Sequence, residues 1–416
     1  MQTYTSVRYP VKICFVAFDS LFPIRHGGAR EMRGMVQAFA RAGHDCQVAI
    51  FVASSSAGAA EWPLAQQLAS LHTAPELTDW RQVLVDDNIC FRLSGIDYRG
   101  ISVEGGNTVR QLWHLLDAWQ PDALVITDGQ HPHCASLLSE LARAAPERLI
   151  YCPKTVHLLP IGPYSISPNH SIVEALLNIR LVIAPSRFVA DVISSVTGRE
   201  VRHVYFPVYE LPELDYATRP SAHAITLINA SVLKGLTIFA DLVANLRDMR
   251  FAAVPGWGTT QSDLKILHDA GNVTMLPFSR EVDSIYLPTK ILLVPSLCYE
   301  ALGHVVIEAM LRGIVVIASA HGGLQEAKLG VDFMIPVSPV EIEADAHWRT
   351  RRLRLPIQSA GNWIDILTTL SKDRDMYAEL SQQSRRAASA FVTSLHWSDI
   401  VMLVEQQLGT RVAEGG

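Results

Sequence analysis

Apolar residues along this chain gather into short, almost uninterrupted runs, and between the runs they recur at helical spacing. Residues 13–18 form the first run, of the kind expected for a strand buried on both faces. A loop carrying Pro23, Gly27 and Gly28 leads into a helical pattern over 29–42, which Gly43-His44 closes ahead of a strand at 46–52. Residues 53–60 are small and polar, hence a loop, and 61–106 has too weak a periodicity to order. The alternation resumes with strands predicted at 123–127, 148–152, 181–184 and 201–206 and helices at 134–145 and 187–195. A second series places strands at 225–228, 251–254, 273–276, 291–294 and 314–318, with helices from 233, around 263–270 and over 304–312. From 357 onward the pattern is helical. Such alternation implies parallel strands joined by right-handed crossovers.

Between the two series, residues 207–222 carry three prolines and no periodicity, the mark of a connection between domains. The expectation is an α/β chain with two doubly wound parallel-sheet domains, 1–206 and 223–395, a linker at 207–222 and a terminal helical stretch at 396–416. The length of 416 residues suits two such domains. Sheets of this kind bind ligands at the carboxyl ends of their strands. A cleft between the two halves is therefore the expected site.

Composition narrows the partners. The chain is 49% hydrophobic and 18% charged, which excludes disorder and supplies two cores. A formal charge of −6 argues against nucleic-acid binding through bulk basic charge. The six cysteines are scattered without a Cys-x-x-Cys pair, as expected of reduced, mostly buried thiols in a cytoplasmic protein. No run approaches about 18 uninterrupted apolar residues, and the N-terminus has no apolar signal core. Low charge with above-average hydrophobicity still leaves room for peripheral contact with a membrane surface. Lysine is scarce, seven residues against 28 arginines, so a lysine in a pattern is informative.

The densest candidate chemistry runs from Pro295 to Gly323. A buried strand leads into a loop with Glu300, and a helix starts near Gly303, with Glu308 a little over one turn inside it. Glycine at 303 permits close backbone approach, and the free N–H groups of Leu302, Gly303 and His304 at the helix start suit a phosphate. Carboxylates at 300 and 308 would then accept from polyol hydroxyls flanking that phosphate. The plainer alternative is a surface loop and a glutamate that favours the helix dipole. His131 and His133 sit at another strand's carboxyl end and are candidates for an acceptor pocket or simple loop residues. Their spacing invites a metal, yet no third ligand lies nearby and zinc needs at least three. No metal and no cofactor are expected.

These residues also carry a resemblance. Pro295-Ser296, Glu300, Gly303, Glu308-Ala309-Met310, Gly313 and Gly322-Gly323 with Glu326 resemble, in order, the Glu-x7-Glu block of GT-B glycosyltransferases, closest to family 4. Residues 23–28, ending in Gly27-Gly28, resemble that family's glycine-rich loop after the first strand, and Gly43-His44 its entry to the second. Lys234-Gly235 is similar to the family's Lys-Gly, whose lysine contacts the donor diphosphate, and His157 to a histidine beside the transferred sugar. Gly256 and Gly258, flanking Trp257, resemble a Gly-x-Gly of the nucleotide half, and the loop with Phe278 matches the place where the base rests. Where the family usually has an arginine, this chain has Asn229. Arg25 lies on the loop where an anionic donor or acceptor would sit, while Arg30 and Arg33 read as solvated helix face.

The resemblance implies a GT-B fold, a last helix from about Trp397 crossing back onto the first domain, and transfer of a sugar from a nucleoside diphosphate to an acceptor with retained configuration. The acceptor would be a small molecule, a glycan or a lipid-linked group, in bacterial glycoconjugate, polysaccharide or secondary-metabolite synthesis. Glu308 would hold the ribose, Glu300 and His157 the sugar, and Lys234 the leaving diphosphate. A nucleotide-sugar epimerase on the same fold, or a non-catalytic binding subunit, are the alternatives.

Overall fold

The computed structural model describes residues 10–18, 21–22, 24, 27–52, 80–85, 88–102, 108–129, 134–166, 168–169, 172–212, 222–256, 258–279, 281–342 and 353–409. Among these, the first domain is built on nine strands: β1 (Lys12–Ala17), β2 (Asp45–Val52), β3 (Trp80–Val85), β4 (Asn88–Leu93), β5 (Ile96–Ser102), β6 (Ala123–Thr127), β7 (Leu149–Cys152), β8 (Leu181–Ala184) and β9 (Arg202–His203). Their order is β3-β4-β5-β2-β1-β6-β7-β8-β9. Helices α1 (Gly27–Arg41), α2 (Thr108–Trp119), α3 (Cys134–Ala144), α4 (Val173–Asn178) and α5 (Arg187–Thr197) make the connections. β1 shows why the central strands read as apolar runs. Ile13 and Phe15 enter one core and Cys14 and Val16 the other, so both faces of the sheet are covered.

Two stretches depart from expectation. The unordered stretch 61–106 holds β3, β4 and β5, which meander antiparallel at the sheet edge. There Arg92 and Asp97 pair at 2.6 Å on an exposed face, and such charges blur the apolar pattern. The run 201–206 yields only the two-residue β9, after which Phe206 turns into the core.

The second domain has six parallel strands: β10 (Ala224–Ile228), β11 (Arg250–Val254), β12 (Val273–Met275), β13 (Thr289–Val294), β14 (Val315–Ser319) and β15 (Met334–Ile335). They are ordered β12-β11-β10-β13-β14-β15. Helices α6 (Leu236–Asn245), α7 (Gln261–Asp269), α8 (Asp283–Tyr286), α9 (His304–Leu311) and α10 (Leu324–Ala327) accompany them. A ribbon of β16 (Glu341–Ile342) and β17 (Leu353–Arg354) precedes α11 (Gly361–Lys372), α12 (Arg374–Thr393) and α13 (Trp397–Gly409). The stretch Arg374–Gly409 is long and apolar enough to cross a membrane by length and composition. The face of α13 bearing Ile400, Val401 and Val404 is nonetheless buried in the first domain's core, and Glu405 meets His44 at 3.1 Å.

Strand order reverses between β1 and β6 in one sheet and between β10 and β13 in the other. Such switch points open crevices at the strand carboxyl ends. The domains also touch directly. Ser186 Oγ donates to the Ala301 carbonyl at 2.5 Å, and the Glu326 carboxylate accepts from the Arg187 and Phe188 N–H groups and from the Tyr205 hydroxyl. All six cysteines are buried free thiols.

Candidate functional site

The loops leaving β10 and β13 flank the second domain's switch point and lie directly on each other. Lys234 ends a 3-10 turn after β10, and Gly235 follows with φ 83°. A Cβ at 235 would collide with the Pro295 carbonyl, so only glycine lets the loops approach this closely. The consequence is a contact between charges: the Lys234 ammonium pairs with Glu300, and Ser296 Oγ donates to Glu300 Oε1 at 2.8 Å. Burial pushes the Glu300 carboxyl upward, but Lys234 and Ser296 outweigh it and hold the group below the usual carboxylate range. Burial alone would lower Lys234; Cys298 and Glu300 raise it instead. Both groups are therefore ionised through the neutral range.

Asn229 explains how this chain uses the position where an arginine is usual in the resembling family. It has φ 58°, a left-handed conformation that asparagine tolerates. Its Oδ1 accepts from the Gly258 N–H at 3.0 Å, and a Cβ at Gly256 would stand 2.5 Å from that oxygen. Gly256 and Gly258 thus seat Asn229, which ties their turn to the end of β10.

At the start of α9, Gly303 has φ 95°, and a Cβ there would lie 2.6 Å from Leu324. The Leu302 side chain is buried in the second core, so only its backbone is offered to a ligand. His304, expected at the donor, has its ring engaged elsewhere. Its Nε2 lies 3.0 Å from Glu31 and its Nδ1 2.8 Å from the Tyr209 hydroxyl. A carboxylate only accepts, so Nε2 donates to Glu31 and Nδ1 accepts from Tyr209. Glu31 also pairs with Lys154 at 2.8 Å. Burial raises the Glu31 carboxyl, yet Lys154 and His304 bring it down to about 2. The His304 ring rests on Gly27, where a Cβ would come within 2.5 Å. The starts of α1, with Gly27 and Gly28, and of α9 therefore face each other across the domain boundary.

Glu308 lies one turn deeper. Its Oε1 accepts from Arg30 at 2.6 Å and its Oε2 from the Tyr286 hydroxyl at 2.9 Å. Arg30 is thus a half-buried bridge between domains, which corrects its reading as solvated helix face. Arg33 lies over the Phe22 ring at 4.8 Å. His157, in the loop after β7, places Nδ1 3.2 Å from the Tyr164 carbonyl. Burial pulls its pKa below the ordinary imidazole value, and among the opposing influences is the charge of Glu300.

Phe278 projects from the carboxyl end of the edge strand β12, 59% exposed and two strands from Lys234. Arg25, His131, His133 and Trp257 lie outside the described residues. Among the described residues, no three His, Cys, Asp or Glu side chains are grouped to hold a metal ion. Asp373 caps α12 by accepting from the Met376 N–H at 2.9 Å, a structural use of that carboxylate. Sequence reading did not select Glu31, Lys154, Tyr286, Tyr164 or His321. Their partners come from distant segments, and only the placement of Lys154 and His321 near strand ends offered a signal.

Residues 224–347 match the family described as Glycosyl transferases group 1. No curated protein matches the chain. Among solved structures, sucrose-phosphate synthase from Thermosynechococcus elongatus is similar at 15% identity and a TM-score of 0.68, covering 97% of this chain and 100% of that one. HepE from Anabaena, solved with UDP and glucose, is similar at 17% identity and a TM-score of 0.63, covering 96% and 100%. Starch synthase IV from Arabidopsis thaliana, solved with ADP and acarbose, is similar at 12% identity and a TM-score of 0.61, covering 97% and 100%. The fold shared with these structures is GT-B.

Proposed function

We propose that this GT-B chain, whose second domain matches the group 1 glycosyltransferases, transfers a sugar from a nucleoside diphosphate to a hydroxyl acceptor with retention of configuration. The observation that carries the reading is the partly buried Lys234–Glu300 pair at the β10–β13 switch point, with His157 facing it from the first domain. An ammonium fixed there stabilises charge that develops on a departing diphosphate. Lys234 and Ser296 both address Glu300 Oε1, so Oε2 is left to accept from a sugar hydroxyl. The backbone N–H groups at the start of α9 supply further donors for phosphate oxygens.

In this reading Glu308 holds the ribose. Each carboxylate oxygen has two acceptor directions, so ribose hydroxyls join Tyr286 on this side chain or take the place of Arg30. No carboxylate acts as nucleophile. A diphosphate oxygen takes the acceptor's proton on the face where the new bond forms, and the protein contributes positioning and fixed charge.

Thermal-shift measurements with a panel of nucleoside diphosphates and their sugars should single out one base, since a ligand that binds only the native state raises its stability. Lys234→Ala should lower turnover by about 10²–10³-fold, and Glu308→Ala should abolish the stabilisation by nucleotide. Unchanged behaviour in both variants would remove the assignment. Asn229 favours one second reading: with its side chain committed to the Gly256–Gly258 turn, the site has one cation fewer. A protein that binds the sugar nucleotide yet never releases nucleoside diphosphate would be a binding subunit.

A further inference from the structure

Two imidazoles reach the Glu300 region from opposite domains, and each is only half used. His157 Nδ1 lies 3.2 Å from the Tyr164 carbonyl. A carbonyl can only accept, so the proton sits on Nδ1 and Nε2 is a bare acceptor. That Nε2 is buried without a hydrogen-bond partner among the described residues. His321 repeats the arrangement with the nitrogens exchanged: Nε2 donates to the Ser296 carbonyl at 2.8 Å, and the buried Nδ1 has no partner among the described residues. Ser296 also holds Glu300, so one residue fixes both His321 and the carboxylate. A wall of rings joins the two histidines. Tyr164 packs on Tyr299 with centroids 4.0 Å apart, and Tyr299 meets His321 edge-on at 4.8 Å. Burial keeps both imidazoles below their ordinary pKa and hence neutral at pH 7.

Leaving a buried acceptor bare is unfavourable, and here two bare acceptors share the surroundings of a carboxylate. The ammonium of Lys234, near them, is committed to that carboxylate. Among the described residues, the two imidazoles and the carboxylate therefore turn lone pairs rather than protons toward a ligand. A ligand rich in hydroxyl groups meets this demand, whereas an acidic sugar would bring its own carboxylate against lone pairs.

We propose that His321 contacts the transferred sugar as a specificity-determining residue, and that with His157 and Glu300 it selects a neutral, polyhydroxylated hexose over a hexuronic acid. The inference rests on the glycosyl-transfer reading above. It is tested by calorimetric titration of the full chain with UDP and ADP, with their glucose and galactose conjugates, and with UDP-glucuronate. Wild type should bind one neutral conjugate at least tenfold more tightly than the uronate. His321→Phe, which keeps the ring against Tyr299 but removes the acceptor, should lose about tenfold of the affinity for that conjugate and none for the bare nucleotide. His321→Gln, which restores an acceptor, should recover part of the loss. Equal or tighter binding of the uronate by wild type, a measurement that needs no variant, overturns the proposal, as does an unchanged hexose affinity in a folded His321→Phe. Binding of the bare nucleotide with either of these results leaves the wider reading standing; no binding of nucleotide or conjugate by wild type overturns both.

Discussion

A single buried ammonium shows how much one side chain can weigh on this molecule. Lys328 is 1% exposed, and its Nζ donates to the Val316 carbonyl at 2.6 Å. Burial lowers its pKa to about 7 from an ordinary 10.5, with Asp332 pulling the other way. Between those two values the unfolded chain binds a proton that the folded chain does not, so stability rises with pH across that window. Below pH 7 both states are charged and the full cost of burial is felt. Lys328→Met should therefore be more stable than wild type at pH 6–7, by about 1–2 kcal/mol, with the advantage fading toward pH 10. Urea melts at the two pH values check this, and a variant less stable at pH 6 would show that the hydrogen bond to Val316 outweighs the buried charge. At this scale the sequence was informative only where a residue sits inside a spaced pattern. Lys234, Glu300, Gly303 and Glu308 do. Arg30 and Tyr286, which hold the Glu308 carboxylate, sit at no such spacing. Asn229 was visible as a departure, but its left-handed backbone and its grip on Gly258 follow from contacts no local pattern encodes.

The elements themselves were legible to the degree that burial is two-sided. β6 and β8 coincide with their apolar runs because every residue in them is buried. β3, β4 and β5 escaped notice because Arg81, Arg92, Asp97 and Arg99 interrupt their apolar runs and the meander pairs antiparallel, out of step with the strand–helix rhythm around it. The turn between β10 and α6 is where element geometry becomes chemistry. Gly235 combines a left-handed φ with direct apposition to Pro295, and the Lys234–Glu300 contact depends on that apposition. Gly235→Ala should cost about 2–4 kcal/mol, from the backbone strain and from the displaced loop. Because the displacement separates the loops that carry Lys234 and Glu300, affinity for the sugar nucleotide should fall along with the melting temperature. A variant that loses stability but keeps full affinity would mean that the pair re-forms without the close approach.

At the scale of the whole molecule, the site exists only because two domains meet, and the contacts that join them are concentrated in a few side chains. Glu326 is one of these. From the start of the short α10 it accepts from the N–H groups of Arg187 and Phe188, at the N-terminus of α5 in the other domain, and from the Tyr205 hydroxyl at 2.6 Å. A carboxylate at that helix end is stabilised by the dipole as well as by its hydrogen bonds. The same boundary brings His321 and Tyr299 toward His157 and Tyr164, so loosening it should dismantle the sugar pocket without touching it. Glu326→Ala removes about 2–4 kcal/mol of charge-assisted bonding between the domains. It should enlarge the radius of gyration measured by small-angle X-ray scattering and raise the KM for the sugar nucleotide more than tenfold. Glu326→Gln, which keeps one accepting oxygen, should fall between. The loss of affinity must track the expansion across the two variants, because a carboxylate that acts only between domains has no other route to the ligand. An expanded Glu326→Ala with an unchanged KM would show that the sugar pocket closes on its ligand without this contact.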